Sequence, residues 1–346
     1  MAVGIRDVAA AASVSVGTVS NVLNAPERVA PATVARVHAA IEQLGFVRND
    51  AARQLRAGRS HCVGLLVLDV GNPFFTDVAR SAERRAAQSN LVVLLGTSDD
   101  DPERERAYLE TFDEQRVFGL LISPVGEDLD RVLALHGRGV PVVLVDRDGA
   151  GTPFASVAVD DVAGGRMALN HLCGQGRTRI AYLGGPLSLR QVADRLAGAR
   201  QAADDHPGAT LEVIPTHEPS VLAGRAAGEA LCARPIDRRP DAVFCANDLL
   251  AIGMLQALTG SGVSVPGDIA LIGYDDIDFA RSAAVPLSSI RQPSANIGTT
   301  AIDLLLAAVE SPEAEPRHVV FRPELVVRAS TAGGQERSDP GKDPAT

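Results

Sequence analysis

What the chain lacks narrows its function before any motif is considered. Its 346 residues include only four cysteines, Cys62, Cys173, Cys232 and Cys245, far apart and with no C-x-x-C pair. Neither a zinc site nor a disulfide framework is expected, and the compartment is expected to be reducing. No apolar run reaches the roughly 18 to 20 residues of a membrane span, and the N-terminus has neither the basic start nor the apolar core of a signal peptide. A cytoplasmic protein without membrane association is the expectation. The signatures of three enzyme classes are also missing: G-x-G-x-x-G for a nucleotide dehydrogenase, G-x-x-x-x-G-K-[S/T] for a P-loop NTPase and G-x-S-x-G for a hydrolase. The single lysine, Lys342, lies in a polar tail rich in Gly and Pro, "TAGGQERSDPGKDPAT", expected to be disordered over 331–346. No enzyme is expected, and no catalytic residue, cofactor or metal ligand.

What is present points to several units. At 346 residues and 46% hydrophobic content the chain is too long for one ordinary domain and apolar enough for packed cores. A net charge of −10 argues at first against nucleic acid, but the charge is unevenly spread. Residues 1–60 hold seven arginines (6, 28, 36, 48, 53, 56 and 59) against four acids (Asp7, Glu27, Glu42 and Asp50), a local +3 that leaves −13 for the rest. A basic module that touches phosphates, joined to an acidic body that does not, fits that asymmetry.

Within the basic module, "SVSVGTVSNVLN" (13–24) predicts a helix after an N-cap at Ser15. Val19, Val22 and Leu23 fall on one side, while Gly17, Ser20, Asn21 and Asn24 follow i, i+3, i+4, i+7 on the other. A helix face that needed only solubility would carry Lys, Glu or Arg. Small hydroxyls, amides and a glycine suit close approach to another surface. "IRDVAAAA" (5–12) reads as a preceding helix, and the three residues between the two match a helix-turn-helix connection. A third helix, "PATVARVHAAIEQLG", spaces Val34, Val37, Ile41 and Leu44 helically, with Pro31 in its first turn and Gly45 as its stop. "RNDAARQLRAGRS" (48–60) reads as a basic linker, helical from Asp50 to Arg56.

From residue 62 short apolar runs alternate with helical periods. "CVGLLVL", "LVVLL", "GLLIS" and "PVVLVD" are strand candidates, with helices near 75–89, 103–116 and 127–138. A second series opens with "SVAVD" and continues through "RIAYLGG", "LEVIPT", "DAVFCAND" and "DIALIGYDD". Two doubly wound, parallel α/β lobes are implied, and such sheets bind ligands beyond the carboxyl ends of their strands. The polar residues at those ends are Asp69 to Asn72, Asp146 with Arg147, Asn247 with Asp248, and Asp275 with Asp276. Carboxylates accept from hydroxyls and asparagine both donates and accepts, so a cleft that grips hydroxyl groups is expected. Phe74 and Phe75 offer an apolar wall, and Arg195 a fork donor.

The order of these pieces resembles the LacI/GalR family of bacterial transcriptional repressors over about residues 5–330. The resemblance is carried by "IRDVAAAASVSVGTVSNVLN", "ARQLRAGRS", "GLLVLDVGNPFF", "VVLVDR", "RIAYLGGP", "RLAGAR", "DAVFCANDLLAIG", "VPGDIALIGYDDI" and "IRQPSANIG". It implies a helix-turn-helix headpiece (1–47), a hinge helix and linker (48–60) and an effector-binding and dimerisation core (61–330) like periplasmic sugar-binding proteins. Lobe one would span 61–158 and 292–318, lobe two 159–289 and 319–330. A homodimer on near-palindromic operator DNA, responding to a small-molecule effector such as a sugar, is the implied function. Carried over residue by residue, Val16, Gly17 and Asn21 would read bases, with Ser15, Thr18 and Ser20 near phosphates and Arg6 and Asn24 in the same DNA-binding set. Leu55 would wedge into the minor groove with Ala52 beside it, while Arg53 and Arg56 approach the backbone. The effector cleft would draw on Asn72, Phe74, Asp146, Arg147, Arg195, Asn247, Asp275 and Gln292.

The chain departs from the family pattern in places. Ser13 stands in the turn where Gly or Asn is usual, Arg48 where a Pro commonly precedes the hinge helix, and Ala30 where Ser or Thr caps the third helix. Gly17 brings no side chain to a base. The alternative is a cytosolic sugar-binding or enzyme-like α/β protein without DNA binding, which leaves residues 1–60 unexplained.

Overall fold

The computed structural model describes residues 3–46 and 60–332. The chain divides into two compact units, Met1–Ser60 and His61–Thr346.

In the first unit, α1 (Ile5–Ala11), α2 (Val16–Asn24) and α3 (Pro31–Leu44) enclose a core of small residues: Val8, Ala9, Ala12, Val19, Val22, Val37 and Ala40. The expected start and stop signals operate. Ser15 caps α2 through its Oγ, which accepts from the Thr18 N–H at 3.0 Å. Pro31 opens α3, and Gly45 closes it at φ 61°, a left-handed conformation that glycine adopts without cost. Two departures noted in the sequence have a structural counterpart. Ser13 sits at φ 52° in the turn, and Ala30 precedes α3 with no side-chain cap. The hinge helix expected over 50–56, with Arg53, Leu55 and Arg56, lies outside the described residues.

The second unit holds two six-stranded sheets. β1 (Cys62–Val67), β2 (Val92–Thr97), β3 (Gly119–Ile122), β4 (Val142–Val145), β5 (Ala155–Val159) and β11 (His318–Phe321) form the first, in the order β11-β5-β4-β3-β1-β2, all parallel. β6 (Arg179–Gly184), β7 (Thr210–Pro215), β8 (Ala242–Cys245), β9 (Ala270–Asp275), β10 (Ser288–Arg291) and β12 (Glu324–Val326) form the second, in the order β12-β10-β9-β8-β6-β7. Among the described residues only β12 runs antiparallel there, against β10. Near-continuous apolar runs such as "GLLI" and "VVLV" are buried along their whole length, as strands covered on both faces must be.

Sheet membership moves two pieces. "SVAVD", read as the start of the second series, pairs with β4 and belongs to the first sheet. β11 also pairs with β5, so the first lobe extends to Phe321, three residues past the expected 318. A strand's partner is set by which neighbours leave a free edge after folding, and the periodicity of one segment carries no record of that.

Helices α4 (Pro73–Ala87), α5 (Pro102–Glu114), α6 (Asp130–Gly137), α7 (Asp161–Gly174), α8 (Arg190–Asp205), α9 (Val221–Cys232), α10 (Asp248–Gly260), α11 (Asp278–Ser282) and α12 (Ser294–Glu310) complete the unit among the described residues. α7 and α8 meet backbone to backbone. A Cβ on Gly165 would stand 1.9 Å from the Arg195 carbonyl oxygen, and one on Gly198 1.9 Å from that of Val162. That close approach fixes the start of α8, and with it Gln191 and Arg195.

Candidate functional site

In the first unit the question is which face of α2 is unused by its own fold. Val19 and Val22 are buried, whereas Val16 is 43% exposed and Gly17 and Asn21 are exposed beside it. Thr18 and Ser20 are half-buried. The Ser15 and Thr18 hydroxyls bond each other at 2.9 Å, and Asn24 donates to the Ser20 carbonyl at 2.8 Å. Arg6 is exposed near the start of α1. The surface presents an apolar methyl pair, hydroxyls and an amide on a helix N-terminal half, the chemistry that meets thymine methyls and base edges in a major groove.

In the second unit, the carboxyl ends of β1, β4, β8 and β9 converge on one cleft. Asn72, Phe74, Asp146 and Arg195 line it, as do Asn247, Asp275 and Gln292. At its centre, Asp275 accepts from Gln292 Nε2 at 2.7 Å and from Asn72 Nδ2 at 3.0 Å. Asn72 follows β1 and Asp275 ends β9, so the second bond joins the two lobes. A second bridge runs from Gln191 on α8 to Asp146 Oδ2 after β4, at 2.9 Å.

Local chemistry explains why these residues sit where they do. Asn72 and Asn247 are N-caps, their Oδ1 atoms accepting from Phe74 and Leu250 N–H groups. Asn247 also donates to the Pro219 carbonyl, so both ends of its amide are engaged. Asp146 (φ 58°) and Asp275 (φ 102°) turn the chain at left-handed positions that a short polar side chain tolerates. Buried Asp248 steadies the second turn, accepting from Ser289 Oγ at 2.8 Å and from the Ile277 N–H at 2.9 Å. Asp276 turns away to Arg291 and Arg328, leaving Asp275 to the cleft.

The electrostatics follow from burial. Arg195 donates to Asp161 at 2.8 Å and to the Ala246 carbonyl at 2.8 Å, and stacks 3.7 Å over the Tyr274 ring. Burial opposes its charge, but Asp161, Tyr274, Asp275 and Asp146 outweigh that and hold it protonated. Asp275 is 3.8 Å from the same guanidinium. Burial raises the Asp275 carboxyl above its usual range, opposed by Arg195, Asn72 and Gln292. Burial also raises Asp146, well above, with Asp161 adding to it.

One expected residue is not brought in. Arg147 does not line this cleft: its guanidinium donates to the Gly126 carbonyl and to Glu127 Oε2 at 2.9 Å, and it lines a neighbouring pocket that it shares with Asp146. Asp69, one of the strand-end polar residues of the sequence, lines the cleft too, and so do residues the sequence reading did not assign to it: Gln191, Leu189, Pro219 and Asp100. Gln191 lies four residues before Arg195, on the same helix face, and Asp100 follows β2 as Asp69 follows β1. Both carried the signal that identified their neighbours.

Comparison with known proteins gives the family of each unit. Residues 4–49 match the model for bacterial regulatory proteins of the lacI family, and residues 169–331 the periplasmic binding protein-like domain. The chain is 34% identical over 334 residues to the HTH-type transcriptional repressor PurR of Klebsiella pneumoniae (strain 342), covering 95% of this chain and 97% of the relative. Among solved structures, the Lac repressor dimer bound to operator and the anti-inducer ONPF superposes with a TM-score of 0.82 at 28% identity, covering 96% of this chain and 99% of that one. A LacI family transcriptional regulator from Enterococcus faecium with bound ribose superposes with a TM-score of 0.72 at 30% identity, over 79% of this chain and all of that one.

Proposed function

The chain belongs to the lacI family of bacterial regulatory proteins and is a DNA-binding transcriptional repressor with a ligand-binding effector domain, and on that premise we propose that its effector is a sugar held by the Asp275 cleft. The observation that carries this is the Asn72–Asp275 bond between the lobes. A ligand hydroxyl placed there takes over acceptors and donors that now tie lobe to lobe, and so changes how the lobes are held. Sugar-bound relatives of the same fold support the choice of ligand class. In the headpiece, Val16, Gly17 and Asn21 read bases, with Ser15, Thr18, Ser20, Asn24 and Arg6 placing the module on the duplex. The hinge role of Leu55, Arg53 and Arg56 and a cytoplasmic location belong to the same proposal.

The active species is a homodimer on a near-palindromic operator. The edge strand β2, which pairs with β1 on one side and has no strand neighbour on the other among the described residues, exposes Val92, Leu94 and Leu95, apolar side chains that a second copy would cover. The same reading is supported by the operator-bound dimer of the Lac repressor.

A thermal-shift screen of sugars, with free purine bases as the competing class, followed by operator-release assays on every hit, tests the effector. A sugar hit should lose its effect in Asp275→Asn while operator binding persists. A response to purine bases alone would overturn the sugar reading.

A further inference from the structure

The hydroxyl-binding reading leaves an imbalance of charge. Four carboxylates line the cleft, Asp69, Asp100, Asp146 and Asp275, against one cation, Arg195, which Asp161 already pairs at 2.8 Å. Among the described residues, Asp69, Asp100 and Asp146 have no ion-pair partner within 4.0 Å. Three buried side-chain oxygens in the same cleft are also without a hydrogen-bond partner: Asp100 Oδ1, Asp146 Oδ1 and Gln292 Oε1. Asp146 is 5% exposed and Gln292 3%, so water does not solvate either freely. Gln292 Oε1 is an acceptor, and so are the Asp100 and Asp146 oxygens when ionised, so a fitting ligand brings donors.

The two carboxylates with least compensation lie together. β1 and β2 pair in register to Val67 and Thr97, and Asp69 and Asp100 follow those neighbouring ends. Within the run Asp99-Asp100-Asp101, Asp99 pairs with Arg104 and accepts from Thr97 Oγ1, and Asp101 caps α5 by accepting from the Glu103 N–H at 2.8 Å. Asp100 alone turns to the cleft, at φ 57°. Burial, with Asp69 and Asp99 adding repulsion, pushes its carboxyl up to about 6. Crowded carboxylates with no counter-ion behave this way.

We propose that the effector carries an ammonium group seated against Asp69 and Asp100, with hydroxyls reaching Asp146 and Gln292, the chemistry of an amino sugar. The inference rests on the sugar reading above and narrows it. A neutral sugar satisfies the acceptors but leaves the carboxylates facing one another. An ammonium donates three hydrogen bonds and supplies the missing charge.

Calorimetric titration of the full-length protein with matched pairs tests this: glucosamine with glucose, galactosamine with galactose, mannosamine with mannose, and putrescine as an amine without a ring. At least one amino sugar should bind about tenfold or more tighter than its neutral partner, and Asp100→Asn should abolish that preference. Neutral members binding as well as or better than the amines would overturn the ammonium while leaving the sugar reading intact. Putrescine binding without any amino sugar would overturn the ring. Failure of every ring compound would overturn both readings.

Discussion

Val16, Gly17 and Asn21 stand exposed on α2, and the helix that carries them is held by Val19 and Val22 on its opposite side. In the core, Asp275, Arg195, Asn72 and Gln292 are buried, and Asp275 holds the other three by hydrogen bonds and an ion pair. At these three positions the headpiece keeps the proposed recognition apart from stability, since their side chains lie outside its core, whereas Ser15 both caps α2 and belongs to the proposed contact set. The core merges the two, because its cleft residues also bond to one another, and removing one leaves its buried partner uncompensated. Substitutions should separate function from folding in the first unit and confound them in the second.

The sharpest form of the contrast sets Arg195→Ala against Asn21→Ala. Arg195 and Asp161 are buried partners, and removing the cation leaves Asp161 uncompensated, so urea unfolding should show a loss of about 3–5 kcal/mol in the core. Asn21→Ala should leave unfolding unchanged and weaken operator binding by about 1–3 kcal/mol, read by fluorescence anisotropy. A stable Arg195→Ala protein that still binds operator but ignores effector would break the comparison.

Glycine gives a second contrast. Gly165→Ala drives a methyl to 1.9 Å from the Arg195 carbonyl oxygen and should cost about 3 kcal/mol as α7 and α8 part. Gly17→Ala meets only Ser15 Oγ, at 3.6 Å, and should stabilise the headpiece by about 0.5–1 kcal/mol. Its operator affinity should change all the same, because a methyl is added to the face proposed to meet bases. Equal stability effects at the two glycines would remove the distinction.

Smaller effects sharpen the picture. Ser13→Gly relieves a left-handed serine in the helix-turn-helix turn and should raise headpiece stability by about 1 kcal/mol in thermal melts, without altering base preference. Asp100→Asn tests the acidic end of the cleft through pH. The native carboxyl holds its proton up to about 6, while the unfolded one releases it near the ordinary aspartate value of 3.8. Between those values the folded state binds more protons, so this residue's contribution to stability falls as pH rises and is fully lost above about 6. The variant should melt higher than the wild type at pH 7.5 and at the same temperature near pH 3. A gain independent of pH would show that Asp100 is not crowded.

Much of this was legible in the chain itself. The periodicities of 5–46 placed three helices, and the bareness of the Gly17–Asn24 stripe marked the face left without a partner in its own unit. Asn72, Asp146, Asn247 and Asp275 were found because a polar residue ending an apolar strand has only a few places to go in a parallel α/β lobe. Arg147 lies outside that cleft because its guanidinium is taken up by the Gly126 carbonyl and by Glu127, partners some twenty residues earlier in the chain that no strand-end pattern announces. Gln191 and Asp100 were missed because their value depends on what faces them, from α8 to β4 in one case and from β2 to β1 in the other.

Sequence alone determined the local elements, their caps and the two classes of polar surface, since these follow from contacts within a few residues of each other. It also determined the charge asymmetry that separates residues 1–60 from the rest. Only the tertiary structure decided that β5 and β11 belong to the first sheet, that Arg195 is held by Asp161, and that three buried acceptors share one cleft. Those facts join residues distant in the chain through hydrogen bonds and desolvation, whose strength depends on every atom nearby and is written in no single segment.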